Sequence, residues 1–294
     1  MLKIVEGYMP FKGYKTYYRI VGEGNTEKKP LIMLHGGPGS THNYFEVLDS
    51  LAEDGRQLIM YDQIGCGKSY VEGHPELFNR RVWMAELISL IGHLNLTEYH
   101  IMGQSWGGMM AIMSGCDYKL EGVKSYILSS ANPSSSMWRK EQHRRIKYLP
   151  GEMQMAIYEA EKRGEFDFPE YREANDFFME RYCAGKITDK SPECLKREKK
   201  AGVESYLTAW GPSEFNPMGN LKNFEYINRM YEMEEPTLIT SGISDLCSPL
   251  IAKAMYDALP NSQWVLFDES RHMPFVEETD KYMKTLNAWL ERHD

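Results

Sequence analysis

One hexapeptide constrains this chain more than any other feature: Gly103-Gln104-Ser105-Trp106-Gly107-Gly108. It sits between the apolar run Tyr99–Gly103 (Y-H-I-M-G) and a helical run, Met109–Cys116. A serine lifted onto a sharp strand-to-helix turn adopts strained backbone angles, and flanking glycines leave room for the close packing such a turn needs. The helix start then aims free N–H groups at developing negative charge. A bare G-x-S-x-G recurs by chance, so the flanking strand and helix carry the weight.

A strand that feeds a helix belongs to a larger sheet, and the chain supplies one. Thr16–Val21, Pro30–His35, Gln57–Tyr61 and Lys124–Ser129 read as further strands, while Tyr44–Ala52 and Arg81–Leu94 carry apolar residues at helical spacing. From about Pro133 to Glu234 strand-like runs nearly vanish, and Met137–Tyr148, Glu152–Arg163 and Pro169–Cys183 read as polar helices. The sheet pattern returns with Thr237–Ser241 and Gln263–Phe267, and a helix around Lys281–Arg292 closes the chain. Continuous apolar strands alternating with helices predict a mostly parallel sheet covered on both faces. With the serine turn, this is an α/β-hydrolase fold. The expected core domain spans 1–132 and 235–294, with a helical cap inserted at 133–234 as a lid over the strand ends.

A serine hydroxyl needs a base at neutral pH, and the base needs an orienting carboxylate, in this fold in the order Ser, Asp or Glu, His. Asp245 follows Thr237–Ser241, and His272 follows Gln263–Phe267, both just past the carboxyl end of a strand. A helix-capping aspartate or a loop histidine would look the same singly; together with Ser105 they predict a catalytic triad. Asp268 and Glu269 lie on the same loop as His272 and too close before it. His35-Gly36-Gly37-Pro38-Gly39, after a buried strand, lets the backbone approach a substrate closely. The N–H groups of Gly37 and Trp106 are the expected oxyanion donors, Gly36 lies against the substrate, and His35 shapes the loop.

Composition narrows the partners. A formal charge of −8, from 34 basic and 42 acidic residues, argues against nucleic acid or an anionic membrane. No apolar run approaches the roughly 20 residues that span a bilayer. The start, Met1-Leu-Lys-Ile-Val-Glu-Gly, meets Glu6 and Gly7 before a signal-peptide core forms, so cytoplasmic residence is expected. Five cysteines at scattered spacings suit free thiols and offer no metal site. The chemistry calls for no metal and no organic cofactor. Cys66 and Cys247 read as packing residues; if either lined the pocket, mercurials would inactivate without touching Ser105.

His35-Gly-Gly-Pro-Gly, Tyr61-Asp62-Gln63-Ile64-Gly65-Cys66-Gly67-Lys68-Ser69 and Gly103-Gln-Ser-Trp-Gly-Gly together resemble the prolyl iminopeptidase family, nearly end to end from His35 to Pro274 and including the cap. Relatives usually carry Arg where this chain has Ile64. The resemblance implies removal of an N-terminal residue, preferably proline, from short peptides with a free N-terminus. A buried ammonium needs a carboxylate. The family draws a glutamate from the cap, and the matching residue is Glu214, with Tyr206 as its neighbour. Some relatives add a second acid directly after the catalytic aspartate; here that position is Leu246, and Glu204 is a possible substitute. The rival reading is an esterase or amidase for small neutral acyl groups, which shares the triad and does not need Glu214. Dehalogenases and epoxide hydrolases need an aspartate at the turn, and a non-enzymatic scaffold predicts a broken triad.

Overall fold

Leu31-Ile32-Met33-Leu34 alternates its side chains between two layers: Leu31 and Met33 enter one apolar cluster, Ile32 and Leu34 the other, and all four are buried. A strand without a wet face belongs inside a sheet covered on both sides. A computed structural model describes residues 2–24 and 27–294, so Met1, where the signal-peptide reading begins, lies outside the described residues. The strands are β1 (Ile4–Phe11), β2 (Tyr14–Val21), β3 (Leu31–Leu34), β4 (Leu58–Tyr61), β5 (Tyr99–Gln104), β6 (Val123–Ser129), β7 (Thr237–Gly242) and β8 (Ser262–Phe267). The helices are α1 (Arg80–His93), α2 (Trp106–Met113), α3 (Ser135–Ile146), α4 (Gly151–Arg163), α5 (Pro169–Tyr182), α6 (Glu193–Lys196), α7 (Val203–Ala209), α8 (Pro249–Ala258), α9 (Pro274–Glu277) and α10 (Thr279–His293). Among the described residues no helix is long and apolar enough to cross a membrane.

The eight strands form one sheet in the order β1-β2-β4-β3-β5-β6-β7-β8. Pairing is antiparallel at β1/β2 and β2/β4 and parallel from β4 through β8. One face is covered by α1, α2 and α8 through Trp83, Leu87, Met110 and Met255. Phe45, Leu48, Tyr282 and Trp289 cover the other. Between β6 and β7 the chain is helical, α3 to α7, with one isolated bridge, Ser134 to Glu225.

Two elements differ from what periodicity suggests. Tyr44–Ala52 lies within a run of three-ten turns from His42 to Asp54, not an α-helix; apolar residues at i, i+3 and i+4 suit either winding. The edge strand β1 shows a buried face only at its end, through Met9 and Phe11, because its first three residues are exposed and Gly7 supplies no side chain. Lys12 and Gly13, both at positive φ, turn it back onto β2, a hairpin geometry usually announced by Asn-Gly or Asp-Gly.

Candidate active site

Ser105 joins β5 to α2 at φ 55 and ψ −117, outside the regions that non-glycine residues ordinarily occupy. What holds it there is close backbone contact. A Cβ on Gly103 would sit 2.1 Å from the Gly107 carbonyl oxygen, and one on Gly107 would sit 1.9 Å from that of Leu34. Neither position tolerates a side chain. One on Gly36 would come within 2.4 Å of Gln104 Oε1 and 3.1 Å of Ser105 Cβ, so the H-G-G loop lies directly against the serine turn.

His272 donates from Nδ1 to Asp245 Oδ1 at 2.7 Å, which leaves Nε2 as the accepting nitrogen. Asp245 is fully buried and takes three more donors: Cys247 N–H at 2.8 Å, Ser130 Oγ–H at 2.6 Å and Gly242 N–H at 3.2 Å. Ser105 and His272 border one cavity of about 610 Å³, together with Gly36, Gly37, Tyr206 and Glu214. The Ser105 hydroxyl has no hydrogen-bond partner among the described residues, and in sites of this kind the nucleophile–base bond is commonly long until substrate arrives.

A hydrogen-bond chain fixes the three loops relative to one another. Gly36 N–H donates to Tyr44 Oη at 2.5 Å, Tyr44 donates to Gln104 Oε1 at 2.9 Å, and Gln104 Nε2 donates to the His272 carbonyl at 3.3 Å. Gly36 therefore meets the cavity with its N–H already spent. The N–H of Gly37 has no acceptor among the described residues, and that of Trp106, first in α2, has none within its helix. On the far side, Gln63 N–H donates to His35 Nε2 at 3.0 Å and Trp106 Nε1 donates to Gln63 Oε1 at 2.8 Å. Burial pulls the His35 imidazole down to about 4, so it stays neutral and acts as a brace.

Glu214 enters from the helical segment. Its carbonyl accepts from Trp138 Nε1 at 2.7 Å and Trp210 Nε1 at 3.4 Å, while its carboxylate accepts from Tyr206 Oη. It borders the cavity, is only half-buried, and forms no ion pair among the described residues. Desolvation pushes it up to about 7, against the opposing pull of the Tyr206 hydrogen bond and of His272.

Several supports were not singled out from the sequence. Ser130, at the end of β6, completes the Asp245 shell. Arg145 donates to the Asp245 carbonyl, and Gln142 Nε2 donates to the Leu246 carbonyl at 2.9 Å. With Trp138 these residues fall at i, i+4 and i+7 on α3, a shared helical face that was legible as spacing. One expectation needs correction. Glu204 cannot assist Glu214, because it binds Gly73 N–H at 2.8 Å on a different surface groove. Leu246 does border the cavity, as an apolar wall. The thiol that borders the cavity is Cys183; Cys66 and Cys247 are buried outside its lining. Asp245, Cys247 and His272 bring ligand-type atoms within 4.8 Å of one another, but Asp245 and His272 Nδ1 are already spent on each other and on nearby donors.

The profile of the alpha/beta hydrolase fold matches residues 29–279. A proline iminopeptidase of Clostridium botulinum is 61% identical over 293 residues, covering 100% of both chains, and one of Clostridioides difficile is 60% identical over the same extent. The crystal structure of a proline iminopeptidase from Mycobacterium smegmatis superposes with a TM-score of 0.86 at 26% identity, covering 98% of each chain. The chain therefore belongs to the alpha/beta hydrolase fold family and, within it, to the proline iminopeptidases.

Proposed function

We propose that this protein is a serine aminopeptidase that releases N-terminal proline from short peptides with a free amine. The observation that carries the reading is Glu214: a carboxylate without a cationic partner, enclosed in the same cavity as Ser105 and His272. Holding it there costs free energy, and an α-ammonium arriving with substrate offsets that cost. Relatives named proline iminopeptidases at 61% and 60% identity support the substrate class.

Ser105 Oγ attacks the carbonyl carbon of the N-terminal residue while His272 Nε2 takes its proton. The oxyanion is met by the N–H groups of Gly37 and Trp106. His272 then protonates the departing amine, and water, activated by the same nitrogen, hydrolyses the acyl-enzyme to free the acid and Ser105. Asp245 holds the tautomer and stabilises the imidazolium. Glu214 and Tyr206 hold the amine, Gly36 lies against the acyl group, and residues 133–234 act as the lid. The five free thiols suit a reducing compartment, and we place the enzyme in the cytoplasm.

The test compares prolyl-naphthylamide, its N-blocked form and a butyrate ester in wild type and Glu214→Gln. The free amine is expected to exceed the blocked form by about a hundredfold in kcat/KM, as a lost contact to a buried charge implies, and Glu214→Gln is expected to erase that gap while ester turnover shifts little. Equal turnover of blocked and free substrate would sink the aminopeptidase reading in favour of an esterase.

A further inference from the structure

A short peptide brings two charges into this cavity: its ammonium and, at the other end, its carboxylate. Glu214 answers the first. The segment between α5 and α7 offers groups for the second. Lys186 and Lys199 border the same cavity as Ser105 and Glu214. Arg271 borders it too, but Nε is committed to Glu277 at 2.7 Å and Nη1 to the Glu180 carbonyl at 2.7 Å. Glu277, the other carboxylate on this lining, is neutralised by that fork.

Lys199 is exposed at the rim of the cavity and has no carboxylate partner among the described residues, and partial desolvation pulls its ammonium below the ordinary lysine range. Lys186 makes one contact, 3.3 Å to Glu180, between side chains 80% and 53% exposed; such a pair holds its ammonium only weakly. The cavity thus carries an uncommitted carboxylate, one uncommitted ammonium and one weakly held ammonium, and neither ammonium pairs with Glu214. That charge pattern is complementary to a zwitterion. An extended chain advances about 3.3–3.6 Å per residue, so the carboxylate of a di- or tripeptide bound at Ser105 stays within a cavity of this size, whereas a longer chain must leave it.

We propose that Lys199, assisted by Lys186, forms a subsite for the C-terminal carboxylate of the substrate, so that the enzyme reads both ends of a peptide and favours di- and tripeptides. The proposal rests on the aminopeptidase reading above and adds a length filter to it. Lysine suits this task because its compact charge meets a carboxylate that swings with the varying leaving residue, without the fixed approach a guanidinium fork demands.

The experiment measures kcat/KM for prolyl-glycine and prolyl-glycinamide in wild type, K186Q/K199Q and K186R/K199R, with prolyl-naphthylamide as a third substrate. The free acid is expected to be favoured about tenfold over the amide in wild type, the low end for one charge-assisted contact. The ratio should fall to near one in the double glutamine variant, persist in the double arginine variant, and shrink with added salt. Both peptides are read on the same preparation, so any loss of folded enzyme cancels. A wild-type ratio near one, or a ratio unchanged by the glutamines, overturns the subsite. Inactivity of wild type on all three substrates overturns the aminopeptidase reading itself, an outcome distinct from a flat acid-to-amide ratio with prolyl-naphthylamide still cleaved.

Discussion

Asp245 and Glu214 are both enclosed carboxylates of one active site, yet the floor and the roof of the cavity treat them in opposite ways. On the floor, Asp245 accepts four hydrogen bonds, from His272, Ser130 and two backbone N–H groups. On the roof, Glu214 accepts one, from Tyr206. Four converging donors are what a fully buried carboxylate needs. A single donor leaves acceptor capacity open for a ligand and leaves the carboxylate paying for its enclosure alone. The strand ends hold geometry fixed for chemistry, and the helical segment holds an unmet charge ready for recognition.

The largest test of that division strikes the floor. Ser105→Ala should lower kcat by about 10⁴- to 10⁶-fold while circular dichroism and melting stay close to wild type, and adding His272→Ala should cost little more, because the groups act as one unit. A variant that kept a sizeable share of wild-type turnover would break the comparison outright. A smaller effect is expected from Ser130→Ala, which removes one of the four donors to Asp245. It should reduce kcat by about tenfold with KM unchanged; a rise in KM alone would mean that Ser130 acts on substrate binding, not on the positioning of Asp245.

The last test concerns stability and carries the opposite sign. A carboxyl whose value rises to about 7 on folding binds more protons folded than unfolded. Its contribution is therefore complete below the ordinary carboxylate range near 4.3 and is lost as pH climbs through 7. Glu214→Gln, blind to this titration, should match wild type near pH 4 and exceed it by about 2 kcal/mol at pH 8, measured by urea unfolding. In parallel, kcat/KM for a free-amine substrate should fall below about pH 7 more steeply than for an ester, since only the former needs the ionised Glu214. Equal stabilities at both pH values would remove the claim that the roof is under strain.

The floor was largely legible in the sequence, because its parts are local. Ser105, Asp245 and His272 each follow the carboxyl end of an apolar strand, and the glycines around Ser105 and Gly36 are required by contacts within a few residues or with the adjacent strand. What escaped notice was tertiary. Ser130 looks like any serine after a strand until β6 is seen beside β7. Gln104 fills the variable place of G-x-S, and nothing nearby says that it spans Tyr44 and His272. The edge strand β1 hides because it buries little. Glu214 came from family resemblance alone; its neighbours Trp138 and Trp210 are 72 residues apart in the chain, and no periodicity links them. Cys183, the thiol on the cavity wall, ends a helix whose spacing was clear, but the side of the cavity it faces depends on how that helix docks.

The helical segment is stitched down at separated points. Gly202 N–H binds the Gly39 carbonyl at 2.7 Å, Gly67 N–H binds that of Lys200 at 2.7 Å, and Arg145 and Gln142 grip the carbonyls of Asp245 and Leu246. A drawbridge motion of the entire segment would tear these seams together and disturb the loop that carries the acid. Residues 184–190, which belong to no helix or strand and border the cavity at 184–187, lie apart from these seams. Seams of this kind predict that substrate enters past the side of the helical segment and not beneath a lifted roof, so that short peptides should be cleaved ahead of folded proteins presenting the same N-terminal residue.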